Sequence, residues 1–392
     1  MQIRLEPRVG RHYVHGAAST TTTTEVVSRF PNNHTRRPPL MFFDPGDTAL
    51  GKHVARPKMI ARAPLYCHHV VNALHTGLRL VADSSGWIAL DQVLDTPEAC
   101  TKQMVRLSTA DNQFWREDTD VDFSDGGYVS ARLDNPDYEI PGTTFSLLSE
   151  EPSNYGSWLF RILPKLAIAK AMGLSDFRVS CWCPRSFQRD LLQVFGIEDS
   201  RIIDIKPSKT YRYDDLYVPT CPNPQAYLNE MTVQFVAETL ERHRVKRERS
   251  RCFYISRLKH AQRKQFVNVR HFVDEARFIE QLSKAGFEII EPESLSILEQ
   301  IRLFASAAMV VGASGAAMFN TVFCEPGTVV FDIEAFPHWL HAHANYFSSL
   351  GHNYIMAFGT ADSADESGSH KRWTLDVDLT AEIVVRVRDL LI

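Results

Sequence analysis

Long apolar runs are missing from this chain of 392 residues. No stretch approaches the ~20 consecutive apolar residues of a membrane-crossing helix. The N-terminus lacks the apolar core of a signal peptide. An excess of one charge sign is missing too: 43 Lys and Arg stand against 47 Asp and Glu, a net charge of −4. That balance argues against a general nucleic-acid binder. The one basic run, 242–251, is interrupted by Glu248 and reads as a solvated helix end. A disulfide framework is absent as well. The seven cysteines are odd in number and show no framework spacing. Cys181-Trp182-Cys183 is too tight for a normal zinc half-site, so reduced structural thiols are expected. These absences together point to a cytosolic protein, reaching the inner face of a membrane only through partners.

What is present is the composition of an ordinary globular protein, 44% hydrophobic and 23% charged, with length enough for two domains. Residues 1–50 carry a threonine run and Arg36-Arg37-Pro38-Pro39 without apolar period, and read as weakly ordered. An N-terminal domain is expected over 51–228, a C-terminal one over 229–377 and a closing helix over 378–392. In the first, 65–73 and 78–83 read as strands, the second in a hairpin with 87–90. Residues 128–144, with Pro136 and Pro141, read as loops around a short strand. Apolar positions 158, 159, 162, 163 and 166 make a helical face opened by Asn154 or Ser157, and Pro164 starts or kinks that helix. Strands at 177–182, 201–205 and 216–219 then alternate with a helix at 186–195. This alternation predicts a parallel sheet covered by helices. An amphipathic helix over 231–246 reads as the interdomain connector. A second alternating unit follows: a strand at 252–256, a helix capped by Asn268 and ended by Gly286, a strand at 287–290, and a helix at 297–304 opened by the capping box Ser296/Glu299.

The chain is organised around Val310-Val311-Gly312-Ala313-Ser314-Gly315-Ala316, continuing through Asn320 to Glu325-Pro326-Gly327 and Val329 to Asp332. It reads as strand, small-residue turn, short helix and second strand. Gly312, Gly315 and the free N–H groups at Gly315 and Ala316 suit an anion such as a diphosphate. A tight corner needing small residues only for packing fits the spacing equally well.

Several of these residues, in this order, resemble glycosyltransferase family 61. They include Asn154-Tyr155-Gly156-x-Trp158-Leu159, Leu163-Pro164-x-Leu166, Tyr254-Ile255-Ser256-Arg257, Arg263, Pro292-Glu293, Gly312, Gly315-Ala316, Asn320 and Pro326-Gly327. The likeness runs from about residue 65 to 355. It implies an α/β fold of GT-B type, two Rossmann-like domains with a cleft between them. It also implies a nucleotide-sugar donor, a glycan acceptor, inversion at the anomeric carbon and no obligatory metal or other cofactor. Three positions depart from the family pattern: Ser157 and Ser314 stand where histidine is usual, and Arg161 where aspartate is usual.

Sugar transfer needs a nucleoside site, neutralisation of the leaving phosphate and a base for the acceptor hydroxyl. Arg257 and Arg263 suit a phosphate clamp, against the alternative of a solvated basic loop. Asp332 suits ribose hydroxyls, or else caps its own strand end. Asn320 either touches ligand or holds the turn. Tyr155 and Trp158 either stack on a sugar ring or pack in the core, with core packing favoured for Trp158. Base candidates are His68, His69, Glu150, Glu151, His338, His341 and His343, with His338 carried forward. The three last histidines do not share one helix face, so a metal site is not expected. Arg161 is read as recognising an acidic sugar or an acceptor phosphate. The expected activity is that of an inverting glycosyltransferase, its acceptor a cell-surface or capsular glycan. A degenerate nucleotide- or glycan-binding protein and a nucleotide-sugar epimerase are the rivals.

Overall fold

The computed structural model describes residues 2–4, 22–28, 33–44, 49–62, 64–76, 80–83, 88–90, 121–125, 128–131, 135–149, 152–206, 209–259, 270–364 and 371–392. The chain divides into two units: unit 1 takes residues 1–32 and 62–224, unit 2 residues 33–61 and 225–392. Both are α/β.

Unit 1 is built on a mixed sheet. Tyr138–Ser146 lies inside it, parallel to Arg178–Cys181 on one side and to Thr210–Pro219 on the other. Ile202–Asp204 extends the parallel part. Leu65–Thr76 then joins antiparallel to Thr210–Pro219, and Leu80–Ala82 and Ile88–Leu90 follow as antiparallel neighbours. The hairpin is therefore as expected. The expected single short strand within 128–144 is instead two, Tyr128–Ala131 and the nine-residue Tyr138–Ser146, which runs past the expected end. Pro141 misled that expectation. The ladder with Thr210–Pro219 breaks register between Ile140 and Thr143, so the residue without an N–H sits where no ladder bond is lost.

The segment 154–171 is three pieces rather than one helix. Asn154 caps Tyr155–Ser157, its Oδ1 accepting the N–H groups of Gly156 (2.8 Å) and Ser157 (3.4 Å). A wide π turn, Trp158–Ile162, follows, and a regular helix runs over Lys165–Ala171. Pro164 explains the change. It cannot donate to the Phe160 carbonyl one turn back, and that oxygen instead accepts the Asn223 amide at 2.8 Å.

Unit 2 carries a six-stranded parallel sheet: β1 (Met41–Phe43), β2 (Arg251–Ile255), β3 (Glu288–Ile290), β4 (Ala307–Ala313), β5 (Val329–Glu334) and β6 (Asn353–Phe358), in the order β3-β2-β4-β5-β6-β1. Around it run α1 (Glu230–Arg242), α2 (Glu275–Lys284), α3 (Ile297–Ala305), α4 (Pro337–Ser349) and α5 (Val377–Leu391). The chain enters unit 2 at Gln225, ahead of α1 rather than through it. From 1–50, the segment read as weakly ordered, β1 forms the last strand of this sheet. The Ser296/Glu299 capping box opens α3 as expected, and Gly286 ends α2 with φ 86°. Asn268 lies outside the described residues, and α2 starts later than expected, after Asp274.

The strand order decides where a ligand fits. From β2 the chain crosses to β3 on one side and then to β4 on the other. The loops leaving β2 and β4 therefore diverge, opening a crevice at the carboxyl ends of these two strands. β4 and β5 are buried throughout, as expected of central parallel strands. Gly312 belongs to this packing: a Cβ there would lie 2.7 Å from Met318 Sδ and 3.3 Å from Ile255 Cβ.

Candidate functional site

At the end of β2, Tyr254, Arg257 and Glu275 lock the chain. Glu275 is 2% exposed. Its Oε1 accepts the Arg257 N–H at 2.6 Å and the Tyr254 hydroxyl at 3.1 Å. Burial raises the Glu275 carboxyl above its ordinary range, opposed by these bonds. The backbone of Arg257 is thus fixed where its side chain can cross to the loop after β4. There it meets Gly315: a Cβ added to Gly315 would stand 3.3 Å from Arg257 Nη1. Gly315 has φ 165°, ordinary extended backbone, so it is needed for this approach and not for its conformation.

A second guanidinium reaches the same corner. Arg270 Nη1 donates to the Ser314 carbonyl at 3.3 Å, lies 3.7 Å from Glu334 Oε1, and its guanidinium rests over the Phe336 ring at 5.5 Å. The Arg270 side chain is 10% exposed and that of Glu334 fully buried. Burial weakens the basicity of both arginines, and proximity to Arg270 weakens Arg257 further. Two guanidiniums that repel each other in a partly dry corner favour a multivalent anion. Glu334 is held in turn, its Oε1 accepting the Ala335 and Phe336 N–H groups at 3.0 and 2.9 Å. Burial raises its carboxyl, and Arg270 opposes the rise.

Behind the corner lies a buried triplet. His343 Nδ1 is 3.2 Å from both Ser314 Oγ and Asp332 Oδ1. A proton relay would need one ring nitrogen for the hydroxyl and the other for the carboxylate. Here a single nitrogen faces both, so the triplet braces the turn and relays nothing. Asp332 is 0% exposed, which removes it from reach of a ribose in this conformation. Asn320 is likewise buried, its amide donating to Gln300 Oε1 at 3.3 Å. Ala316 is exposed beside Gly315 at the start of the 3-10 turn Ala316–Phe323.

Other anticipated residues lie elsewhere. Trp158 is 0% exposed and its indole donates to the Pro152 carbonyl at 2.7 Å, so it packs in the core of unit 1. Tyr155 is half-buried and meets Phe187 edge-on. Ser157 is buried. The Arg161 guanidinium lies 5.1 Å from the Phe160 ring centre. His68 is buried and its imidazole is pushed down to about 4 by desolvation, which makes it a poor base at neutral pH. His69 bonds Asp215 Oδ1 at 2.8 Å. His341 accepts from Arg36. His338 is the second residue of α4, and its side chain lies outside the described residues, as do Glu150, Glu151 and Arg263. Arg270, Glu275 and Glu334 were missed. Arg270 follows no motif, and the two glutamates are ordinary in sequence; only the meeting of β2, β4 and β5 singles them out. Among the described residues no group of three His, Cys, Asp or Glu could hold a metal ion.

Residues 155–331 match the family model described as Glycosyltransferase 61. That match, over somewhat less than half of the chain, supports a glycosyltransferase family 61 assignment. Among curated proteins, none matches the chain. The matched span contains Arg257, Arg270, Ser314 and Gly315, while Asp332, Glu334 and His343 fall beyond it. The arginine corner and the Glu275 that fixes Arg257 are thus within the matched region, while the carboxylate held beside Arg270 and the histidine behind Ser314 lie beyond it. No described helix is long and apolar enough to cross a membrane.

Proposed function

We propose that this glycosyltransferase takes its sugar from a nucleotide-sugar donor whose diphosphate binds at the Ser314–Gly315 corner of unit 2. The observation that carries the reading is the convergence of Arg257 and Arg270 on that corner. It lies at the switch point of a parallel sheet, where such folds bind nucleotides. In the proposed division of labour, of GT-B type, unit 2 holds the donor and unit 1 the acceptor glycan. The acceptor oxygen forms its bond to the anomeric carbon as the bond to the phosphate oxygen breaks, inverting the centre. The electron pair leaves with the nucleoside diphosphate. Arg257 and Arg270 offset that growing charge, work that a divalent metal does in other transferases.

The acceptor hydroxyl must lose a proton. His338 is proposed as the group that takes it, because α4 begins just after β5, at the same end of the sheet as Gly315. Arg161 is proposed to recognise an acidic group on the acceptor. The test is a panel of nucleoside diphosphates and nucleotide sugars, read by calorimetry and by slow donor hydrolysis without acceptor. Arg257→Ala and Arg270→Ala should each weaken the best diphosphate at least tenfold. Binding with neither hydrolysis nor transfer would favour a non-catalytic binder instead. Unchanged affinity in both variants would remove the arginine corner from the donor site.

A further inference from the structure

A second cationic cluster lies in unit 2 and has no part in the donor reading. The short strands His34–Arg36 and Lys58–Ile60 pair antiparallel and set Arg36 directly opposite Lys58. Like charges placed so repel. Arg36 is 1% exposed. Its guanidinium donates to His341 Nδ1 at 3.1 Å and to the carbonyls of Arg56 (3.1 Å) and His53 (3.4 Å), while its Nε is buried without a partner. The His53 ring meets the His341 ring edge-on at 6.2 Å. No described carboxylate pairs with Arg36, His53, Lys58 or His341. Burial, then Lys58, Arg36 and His53, all push His341 down. A buried guanidinium with no described counter-ion is a costly arrangement; the carbonyls of His53 and Arg56 offset part of that cost, while Lys58 adds to it.

The tautomer of His341 follows from this. A guanidinium can only donate, so His341 Nδ1 must be the bare, accepting nitrogen. The proton is on Nε2, and the neutral ring keeps one N–H to offer. Lys58 and His53 are exposed at the rim and His341 is half-buried, so donors at the surface stand over a buried positive charge.

We propose that Arg36, His53, Lys58 and His341 form a binding site for one oxyanion, a phosphate or a carboxylate. Lys58 and the His341 Nε2–H contact it, and Arg36 supplies the field from beneath. The anion provides the counter-charge that no described carboxylate supplies.

The experiment uses the full chain carrying Arg257→Ala, so that the donor corner adds little. Inorganic phosphate and sodium glucuronate are titrated at constant ionic strength, and thermal unfolding is followed. Phosphate or glucuronate should raise Tm saturably where chloride does not, and the tighter of the two identifies the oxyanion. Lys58→Glu should weaken that binding roughly tenfold, the scale of one reversed surface charge. His341→Gln, whose amide oxygen can still accept from Arg36, displaces the remaining N–H from the imidazole Nε2 position and should weaken binding by about threefold or more. Lys170→Glu, an exposed lysine of unit 1, should leave it unchanged. The site is overturned if neither anion outperforms chloride, if both cluster variants bind as the parent does, or if Lys170→Glu weakens binding equally.

Discussion

Gly315→Ala isolates the contact on which the donor reading depends. At φ 165° and ψ −177° alanine meets no backbone strain, so the usual penalty for replacing glycine is absent. The new methyl group would stand 3.3 Å from Arg257 Nη1, a few tenths of an ångström too close. The guanidinium must therefore give way. The Arg257 backbone cannot follow, because Glu275 holds its N–H. A charge-assisted hydrogen bond is worth about 1.5–3 kcal/mol; losing part of one should cost about 1–2 kcal/mol, or roughly fivefold to thirtyfold in affinity. Calorimetry with the tightest nucleoside diphosphate measures it, alongside thermal unfolding. Stability should change by less than about 0.5 kcal/mol. Gly327→Ala is the counter-case. Its φ of +86° makes alanine strained, so it should lose about 1–2 kcal/mol of stability and bind diphosphate normally. The reasoning is refuted if Gly315→Ala binds as tightly as the parent, or if the two variants lose affinity alike.

Other expectations concern the framework. Asn223→Ala removes the amide that donates to the Phe160 carbonyl at the proline turn, and should cost about 1–3 kcal/mol in denaturant unfolding. Trp158→Ala should cost about 3–5 kcal/mol, since the ring is fully buried; a stable variant with only a raised acceptor KM would restore a sugar-stacking role. His68 and His352 are both held down to about 4 from 6.5 by burial. The unfolded chain then binds the extra protons, so their stabilisation is complete above pH 6.5 and lost as pH falls toward 4. Each contributes about 3 kcal/mol, and His352→Gln should flatten the pH dependence of unfolding across that window. Arg161→Ala should raise acceptor KM with donor affinity unchanged; unchanged acceptor kinetics would end its proposed role.

The local rules read well where one residue settles the structure. The Ser296/Glu299 pair placed the start of α3, Gly286 the end of α2, and the apolar residues at 309–311 and 329–331 the middle of one buried strand and the start of another. Each depends on backbone chemistry within a few residues. Pro141 and Pro164 show where such rules stop. Proline signals a missing N–H, but whether that matters is decided by the partner strand that breaks register beside Pro141, or by the Asn223 amide arriving from 63 residues away at Phe160. The diphosphate corner divides the same way. The small residues and Arg257 could be picked out from the chain alone, because a turn that admits a close anion needs glycine and a cation nearby. That Gly312 serves packing, that Asp332 is sealed beneath His343, and that Arg270 and Glu334 complete the corner all depend on sheet order. Only the crossing from β3 back past β2 to β4 brings those side chains together, and no spacing along a chain encodes a distance between strands.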